Sequence, residues 1–256
     1  MKAATGRPPP HLAAALAGVQ SLDEIEPGIW RAGGHGEAGA AQYDSIGTAY
    51  DIVGGLDMYH RAFWGVSTLA YRAVAERAVT ACGEGTMLDA GCGSMLFSAQ
   101  AYLTDPRVAL IGTDASLRML RRARRRLESN RVALLQADVV HSPFRTAAFD
   151  VVACLHVAHA LQDLPGLLGE LRRILTPGGR LFLTSVVLVN HWRDRYLRAL
   201  ARRGVMASPR RRADILTAIR ASFDAEADSY LVGNMLFLEV TNPSGRNAPA
   251  GPRPDY

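Results

Sequence analysis

Short apolar runs of β type alternate with helical patterns through most of this 256-residue chain. The runs are MLDAG at 87–91, VALIGTD at 108–114, RVALLQAD at 131–138, FDVVACLHV at 149–157, GRLFLTSVVLV at 179–189 and YLVGNMLFLEVT at 230–241. Strands that alternate with helices are typical of βαβ units, which build a mainly parallel sheet covered by helices on both faces. The last two runs are expected to pair antiparallel at an edge of that sheet.

The two ends of the chain differ in composition from this central part. Residues 1–40 and 242–256 are rich in Pro, Gly and Ala and show no sustained hydrophobic period. We therefore predict a flexible leader and a flexible tail around one domain at 41–241, whose apolar residues can build a sizeable core. The segment 191–222 lies between the last two runs and is predicted to be a helical lid insertion, because long insertions at that edge are often functional.

The cysteines and the hydropathy pattern exclude several classes of protein. Cys82, Cys92 and Cys154 are too few for a disulfide scaffold and too widely spaced for a metal site. They predict that no metal is bound and that the chain works in a reducing, cytoplasmic compartment. No apolar run approaches the roughly 20 residues of a membrane-spanning helix, so we expect no stable membrane association.

The net charge of +5 is due almost wholly to arginine, since Lys2 is the only lysine. Arginines concentrate at 118–131 and at 201–214. For the first cluster a solvated helix face is favoured over a nucleic-acid patch, because no aromatic or RNA-binding signature accompanies it. The second cluster is either a solvated surface segment or a surface that attracts an anionic substrate. We expect no nucleic-acid partner.

The sequence AGCGS at 90–94 forms the turn after the first strand. In an open parallel sheet, ligands bind at the carboxyl ends of the strands, where the first strand turns into its helix. Gly91 and Gly93 permit positive φ and a close approach of the backbone to a ligand. A glycine pair is weak evidence by itself, because an ordinary tight turn needs the same residues.

Three acids at successive strand ends narrow the choice of ligand. Asp114 ends the second run, where a carboxylate can bind the ribose hydroxyls of a nucleotide-like cofactor. Asp89 precedes the turn, where it would repel a phosphate and suit a cation, and Asp138 can accept a hydrogen bond from an amine. The third glycine of the dinucleotide fingerprint is missing, and Leu96 stands at its position. S-adenosylmethionine fits this set because it has ribose, adenine and ammonium groups but no phosphate.

Four motifs in order resemble those of class I S-adenosylmethionine-dependent methyltransferases. Within that superfamily, the chain is similar to the branch with the ubiquinone and menaquinone biosynthesis C-methyltransferases and many small-molecule methyltransferases. The motifs are LDAGCG at 88–93, GTDASLRMLRRAR at 112–124, ADVVHSPFRTAAFDVV at 137–152 and ELRRILTPGGRLFLT at 170–184. The resemblance extends over about residues 43–240. One departure is Met95, where the family usually has a glycine or another small residue.

The resemblance implies an α/β fold with a seven-stranded, mainly parallel, Rossmann-like sheet, one antiparallel edge strand, and helical N-terminal and lid elements. It also implies S-adenosylmethionine as cofactor and methyl transfer to a small-molecule acceptor at carbon, oxygen or nitrogen, by a monomer or a homodimer. The cofactor-binding residues that it implies are Asp89, Gly91, Cys92, Gly93, Asp114, Ala115, Met119, Asp138, Val139, Leu155, Tyr43 and Tyr50.

The sequence offers fewer candidate residues for the methyl-transfer step than for cofactor binding. Methyl transfer from a sulfonium is an in-line displacement, so a general base is needed only if the nucleophile must lose a proton. His156 and His159, just past the fourth strand, are the candidate bases, with His156 expected to face the cofactor and His159 to be nearer to a structural role. The segment 43–64 resembles the part of the quinone methyltransferases that covers the cofactor, which implies that His60 and Trp64 contact the acceptor.

Alternative functions lead to different expectations. An NAD(P)-dependent oxidoreductase would share the glycine turn and Asp114, but Leu96 and Asp89 disfavour a pyrophosphate there. A non-catalytic S-adenosylmethionine-binding protein of the same fold would keep the cofactor residues. An RNA methyltransferase is a weaker alternative, because the sequence shows no appended RNA-binding module.

Overall fold

The computed structural model describes residues 7–18, 21–33, 57–127, 132–189 and 191–243. The strands in these ranges are β1 (Leu22–Glu26), β2 (Ile29–Ala32), β3 (Thr86–Ala90), β4 (Ala109–Asp114), β5 (Val132–Gln136), β6 (Phe149–Leu155), β7 (Leu175–Val186), β8 (Asp228–Val232) and β9 (Met235–Thr241). The helices are α1 (Pro10–Ala15), α2 (Asp57–Phe63), α3 (Thr68–Cys82), α4 (Ala99–Tyr102), α5 (Leu117–Arg126), α6 (Leu164–Ile174), α7 (Arg193–Arg202) and α8 (Arg212–Phe223).

The described strands form one sheet in the order β1-β2-β5-β4-β3-β6-β7-β9-β8. The six strands β2, β5, β4, β3, β6 and β7 are parallel to one another. The pairs β1–β2, β7–β9 and β8–β9 are antiparallel. The prediction of a mainly parallel α/β sheet is confirmed, but the prediction of seven strands with one antiparallel edge strand is wrong, because the sheet has nine strands and antiparallel pairs at both edges.

Three of the nine strands were not among the six runs identified in the sequence, and one of the three arises within the run 230–241, which was predicted as a single strand. Gly233, with a φ of 59°, and Asn234 form the turn between β8 and β9. A Cβ atom on Gly233 would lie 2.2 Å from the backbone oxygen of Trp64, so only glycine fits there. The Asn234 side chain donates to the backbone oxygen of Val187 at 2.9 Å. The run therefore folds back on itself as a hairpin.

The other additional strands come from the segment predicted as a flexible leader. Leu12 in α1 is fully buried, and Ile29 and Trp30 in β2 are 1% and 3% exposed. Strand β2 also pairs with the parallel strand β5. The described part of this segment thus differs from the expected leader, because these few apolar side chains pack against the core despite the Pro- and Gly-rich composition around them.

Helices cover both faces of the sheet. Successive residues of a strand point to opposite faces, and the neighbours Met87 and Leu88 of β3 accordingly belong to two separate clusters of buried residues. Helices α1, α6 and α8 pack on the face of Leu88, whereas α3, α4 and α5 pack on the face of Met87. None of the described helices has the length and apolar character that crossing a membrane requires.

The segment predicted as a lid forms two helices with different surroundings. In α8, the side chains of Ile215, Ile219 and Phe223 are buried in the core. Helix α8 contacts α6 on the same face of the sheet. Helix α7 instead contacts α2, through a hydrogen bond of 2.6 Å between the hydroxyls of Tyr196 and Tyr59. Helix α8 thus covers the sheet, whereas α7 packs beside α2 and buries Leu197 in the cluster on the face of Met87.

Candidate functional site

A cavity of about 330 Å³ opens at the carboxyl ends of the central strands. It lies where the strand order reverses around β3, with β4 on one side and β6 on the other. This topological switch point is where open α/β sheets bind ligands. The predicted site residues that line the cavity are Asp89, Gly91, Cys92, Gly93, Asp114, Ala115, Met119, Asp138, Val139, Leu155, His156 and His159.

The turn after β3 forms the floor of this cavity. Gly91 and Gly93 have φ values of 70° and 52°. The Gly93 N–H donates to Oδ2 of Asp114 at 2.9 Å, and the N–H of Ser116 donates to Oδ1 at the same distance. These two bonds fix the Asp114 carboxylate at the end of β4. After this turn the next helix, α4, begins only at Ala99, because turn conformations extend through residue 98.

Met95, the departure from the family pattern, has a φ of 52° although it is not a glycine. Its side chain is buried, and a Cβ atom on Gly112 of β4 would lie 2.4 Å from the Met95 Cε atom. The large side chain is thus accommodated because the facing strand has a glycine. A left-handed backbone at a methionine is strained, and such strain is frequent at ligand sites.

Gly91 offers a direct test of how tightly the turn is packed. A Cβ atom there would lie 2.5 Å from Cγ2 of Val157, whereas Gly204, with a similar φ of 71°, has no atom within 4 Å of that position. We expect Gly91→Ala to lower the free energy of unfolding by about 1–3 kcal/mol more than Gly204→Ala, because only Gly91→Ala adds overpacking to the backbone strain. Chemical denaturation of both variants measures this difference, and equal losses would contradict the packing described for the turn.

Asp89 is the most deeply buried acid of the cavity wall, at 2% exposure. Its Oδ2 atom accepts a hydrogen bond of 2.9 Å from the hydroxyl of Tyr102. Burial raises the pKa of Asp89 to about 7, and the negative charge of Asp114 adds to the rise. A cation bound beside Asp89 would favour its charged form and would therefore expel the proton.

Asp138 lines the cavity beyond the end of β5. Its Oδ1 atom accepts the N–H of Val140 at 2.9 Å, which fixes the carboxylate in a local turn. Together with Asp89 and Asp114, it surrounds the cavity with acids from three adjacent strands. Among the described residues that line the cavity, none is lysine or arginine. The wall is therefore suited to a cationic or neutral ligand and not to a phosphate.

The two histidines predicted as bases both line the cavity. Burial lowers the pKa of His159 to about 4, and Arg210 lowers it further; its Nδ1 atom lies 3.5 Å from the backbone nitrogen of Val186. Burial also lowers the pKa of His156 well below the usual value, with additional contributions from His159 and His60. Both imidazoles are therefore neutral at pH 7. Of these two rings, that of His156 has a nitrogen, Nε2, that is buried without a hydrogen-bond partner in the described structure.

His60 and Trp64 were predicted to contact the acceptor, but the structure places neither in the cavity wall. Both are buried, at 3% and 5% exposure, with ring centroids 5.9 Å apart. The His60 Nδ1 atom lies 3.0 Å from the hydroxyl of Tyr71, and it is Tyr71 that lines the cavity. They therefore form a layer behind the wall. Tyr43 and Tyr50, predicted to bind the cofactor, lie outside the described residues.

Several lining residues were not predicted from the sequence. They are Tyr71, Ser94, Met95, Leu96, Phe97, Ser98, Ala137, Val157, Ala160, Leu161 and Val205. Most are neighbours in sequence of predicted residues, so a wider window around each motif would have included them. Tyr71 and Val205 come from α3 and from the loop after α7, and no local motif marks either position.

Comparison with known proteins gives one family match. Residues 88–183 match a methyltransferase domain family. This region extends from β3 to β7 and includes the glycine turn and all three acids of the cavity wall.

Two curated relatives and one solved structure illustrate the similarity. A malonyl-[acyl-carrier protein] O-methyltransferase of Legionella pneumophila is 36% identical over 101 residues, which are 39% of this chain and 36% of the relative. A demethylmenaquinone methyltransferase of Clavibacter sepedonicus is 31% identical over 170 residues, which are 63% of this chain and 65% of the relative. The chain thus spans less than two thirds of either relative. The geranyl diphosphate C-methyltransferase of Streptomyces coelicolor, solved with S-adenosyl-L-homocysteine, has a TM-score of 0.56 and 15% identity over 68% of this chain and 76% of that one.

Proposed function

We propose that the chain, whose residues 88–183 match a methyltransferase domain family, is a class I S-adenosylmethionine-dependent methyltransferase that transfers the methyl group of this cofactor to a small-molecule acceptor. The observation that supports the proposal most is the composition of the cavity wall. Carboxylates from three adjacent strand ends line it, and its described residues include no lysine or arginine. That set suits a cofactor with an ammonium group, a sulfonium, a ribose and an adenine.

Each acid has a separate role in this proposal. Asp114, fixed by the N–H groups of Gly93 and Ser116, binds the ribose hydroxyls. Asp138 accepts a hydrogen bond from the adenine amine, and Asp89 pairs with the ammonium group. Gly91 and Gly93 permit the cofactor to lie directly on the backbone of the turn. Met119 and Val139 supply apolar contacts for the adenine.

When bound, S-adenosylmethionine supplies an electrophilic methyl group. The chain contributes binding and alignment, which in well-oriented systems lower a barrier by about 7–11 kcal/mol. His156 is the residue that we propose to receive a proton from the acceptor, because it lines the cavity and its imidazole is held neutral by burial. Leu161 and Val205 line the same cavity and provide apolar contacts beside it.

The relatives support a small-molecule acceptor without naming it. Their names refer to a malonyl group on a carrier protein, to demethylmenaquinone and to geranyl diphosphate, which differ in the methylated atom and in charge. The reaction that the three names share is methyl transfer. We propose the same reaction, with a small-molecule acceptor, for this chain.

A labelled-methyl assay tests the proposal. The protein is incubated with methyl-labelled S-adenosylmethionine and a small-molecule extract of native host cells. We expect label in a metabolite and one S-adenosylhomocysteine per transferred methyl group. If the protein binds the cofactor but all of the label stays on it, methyl transfer would be contradicted and a non-catalytic binding protein would be favoured.

The pKa of Asp89 makes cofactor affinity depend on pH. Below pH 7 the buried carboxyl is mostly protonated in the free protein, so binding of the ammonium group must release a proton. We expect the dissociation constant to fall as pH rises from 5.5 to 7, approaching about tenfold per pH unit at the acid end. Calorimetry at several pH values measures the slope. Asp89→Asn should remove it, and an unchanged slope in that variant would assign the proton to another group.

A further inference from the structure

We propose that the acceptor is an amphiphilic anion: its uncharged, mainly apolar part enters the cavity, and its anionic group stays outside, on exposed arginines of α7. These are Arg195, Arg198 and Arg202, called the α7 arginines below. The inference rests on the methyl transfer proposed above and specifies its substrate class.

The cavity wall has an acidic half and an uncharged half. Asp89, Asp114 and Asp138 come from the ends of β3, β4 and β5. Beyond β3, the lining residues come from β6 and from the loops after β6 and α7, and none of those that the structure describes is an acid, a lysine or an arginine. The adenosyl cofactor uses the acidic half, so the uncharged half is left for the acceptor.

The uncharged half offers accessible apolar side chains. Val205 is 39% exposed, and Val157, Ala160 and Leu161 are partly exposed. An apolar group bound there would remove this surface from water, which is favourable. A charged group would lose its own hydration there without gaining an ion-pair partner. The part of the acceptor that enters the cavity is therefore uncharged and mainly apolar.

The loop that carries Val205 connects the cavity to α7. The N–H of Val205 donates to the backbone oxygen of Leu200 at 3.1 Å, so Val205 lies against the last turn of the helix. The N–H of Ala207 donates to the backbone oxygen of His159 at 3.1 Å, which fixes this loop to the loop after β6. Arg202 belongs to the last turn of α7. The carboxyl end of α7 thus lies at the Val205 side of the cavity.

The α7 arginines form one exposed stripe. Their spacing of three and four residues places them on the same face of the helix, and all three are exposed. The other side of α7 is attached to the protein, because Leu197 is buried and the hydroxyl of Tyr196 lies 2.6 Å from that of Tyr59. The helix therefore presents the stripe to solvent in a fixed orientation.

The described acids do not neutralise this stripe. Elsewhere exposed arginines pair with carboxylates, as Arg220 does with Glu226. No carboxylate in the described part of the chain pairs with an α7 arginine, and Asp194, the one acid in the sequence between residues 191 and 213, is buried. Guanidinium groups without a carboxylate partner attract carboxylates and phosphates.

The two surfaces together define the acceptor. An anionic group inside the cavity would be repelled by three acids, with no lysine or arginine among the described lining residues to offset them. On the α7 arginines the same group keeps part of its hydration and gains charged partners. One molecule uses both surfaces when its anionic group lies at one end and its apolar, methylated part at the other.

The chromatographic behaviour of the labelled product tests both parts of this description. In the labelled-methyl assay, we expect the product to be retained at pH 7 by an anion-exchange column and also by a reversed-phase column. A product that the anion exchanger does not retain would overturn the anionic group. A product that only the anion exchanger retains would overturn the apolar part.

Either of these last two results would leave methyl transfer intact. A protein that binds the cofactor but labels no metabolite would instead refute the proposed function, and the inference with it.

Charge reversal tests the stripe itself, with Arg202→Glu as the variant and Arg125→Glu as its matched control. Both are exposed arginines in the last turn of a helix, so the two reversals change the net charge and the helix end in the same way. With the acceptor fraction of the extract as substrate, we expect Arg202→Glu to raise the acceptor KM by about three- to tenfold, as for exposed charge pairs. Its kcat and cofactor affinity should stay near those of the wild-type protein, and Arg125→Glu should change none of the three quantities.

The salt dependence of the acceptor KM gives a readout that a structural role would not change. We expect KM to rise with ionic strength in the wild-type protein and to rise less in Arg202→Glu, because salt screens exposed charges. Equal KM values in Arg202→Glu and Arg125→Glu, or a loss of kcat alone in Arg202→Glu, would overturn the role given to the α7 arginines.

Discussion

Asp114→Ala is expected to weaken S-adenosylmethionine binding by about 10- to 100-fold, because each hydrogen bond to a charged group contributes about 1.5–3 kcal/mol. The substitution removes the proposed ribose contact. It also removes the acceptor of the Gly93 and Ser116 N–H groups, so the turn after β3 loses one of its hydrogen bonds to β4. Calorimetric titration measures the change in dissociation constant.

Two matched variants separate binding from stability. Asp163→Ala removes a carboxylate that also accepts a backbone N–H, that of Gly166 at 2.8 Å, but Asp163 does not line the cavity. It should cost about 0.5–2 kcal/mol of stability through the loss of a helix cap and leave cofactor affinity unchanged. Asp114→Asn can keep one of the two backbone bonds and should be intermediate in affinity. Equal cofactor affinity in Asp114→Ala and the wild-type protein would mean that the ribose lies elsewhere.

His156→Gln is expected to lower kcat by about 10²- to 10⁴-fold with little change in cofactor affinity, since glutamine can make a hydrogen bond but cannot take up a proton. Steady-state kinetics and calorimetry on the same preparation give both quantities. The exposed His191 provides the control, and His191→Gln should behave as the wild-type protein.

The pH profile of the wild-type protein adds a second readout for His156. The imidazole must be neutral to accept a proton, and its pKa is lowered well below the usual value. Turnover measured at saturating cofactor should therefore not fall near pH 6.5, as it would for an ordinary histidine, but only at a clearly more acidic pH. For the variant His156→Gln described above, a loss of cofactor affinity as large as the loss of kcat would indicate that His156 binds the cofactor and does not act as a base.

The sequence predicted the central part of the fold because the sequence signals for that part are local. The glycine turn, the acid at the end of β4 and the apolar runs are each visible within a few residues, and parallel strands bring their carboxyl ends to one edge. That is why the predicted acids lie together around one cavity.

What the sequence did not predict depends on residues far apart in the chain. The fit of Met95 requires a glycine at 112. The hairpin of β1 and β2 depends on Ile29 and Trp30 packing on a core formed by later residues. Tyr71 lines the cavity from the first turn of α3, whereas His60, which bonds to its hydroxyl, and Trp64 do not line it. No local pattern encodes these tertiary contacts.

The most direct test of the account is a calorimetric titration of the wild-type protein with S-adenosylmethionine, S-adenosylhomocysteine and NAD. The wall of acids without a described lysine or arginine predicts one site that binds both adenosyl ligands and does not bind NAD, whose pyrophosphate the acids would repel. Binding of NAD without binding of either adenosyl ligand would contradict the account.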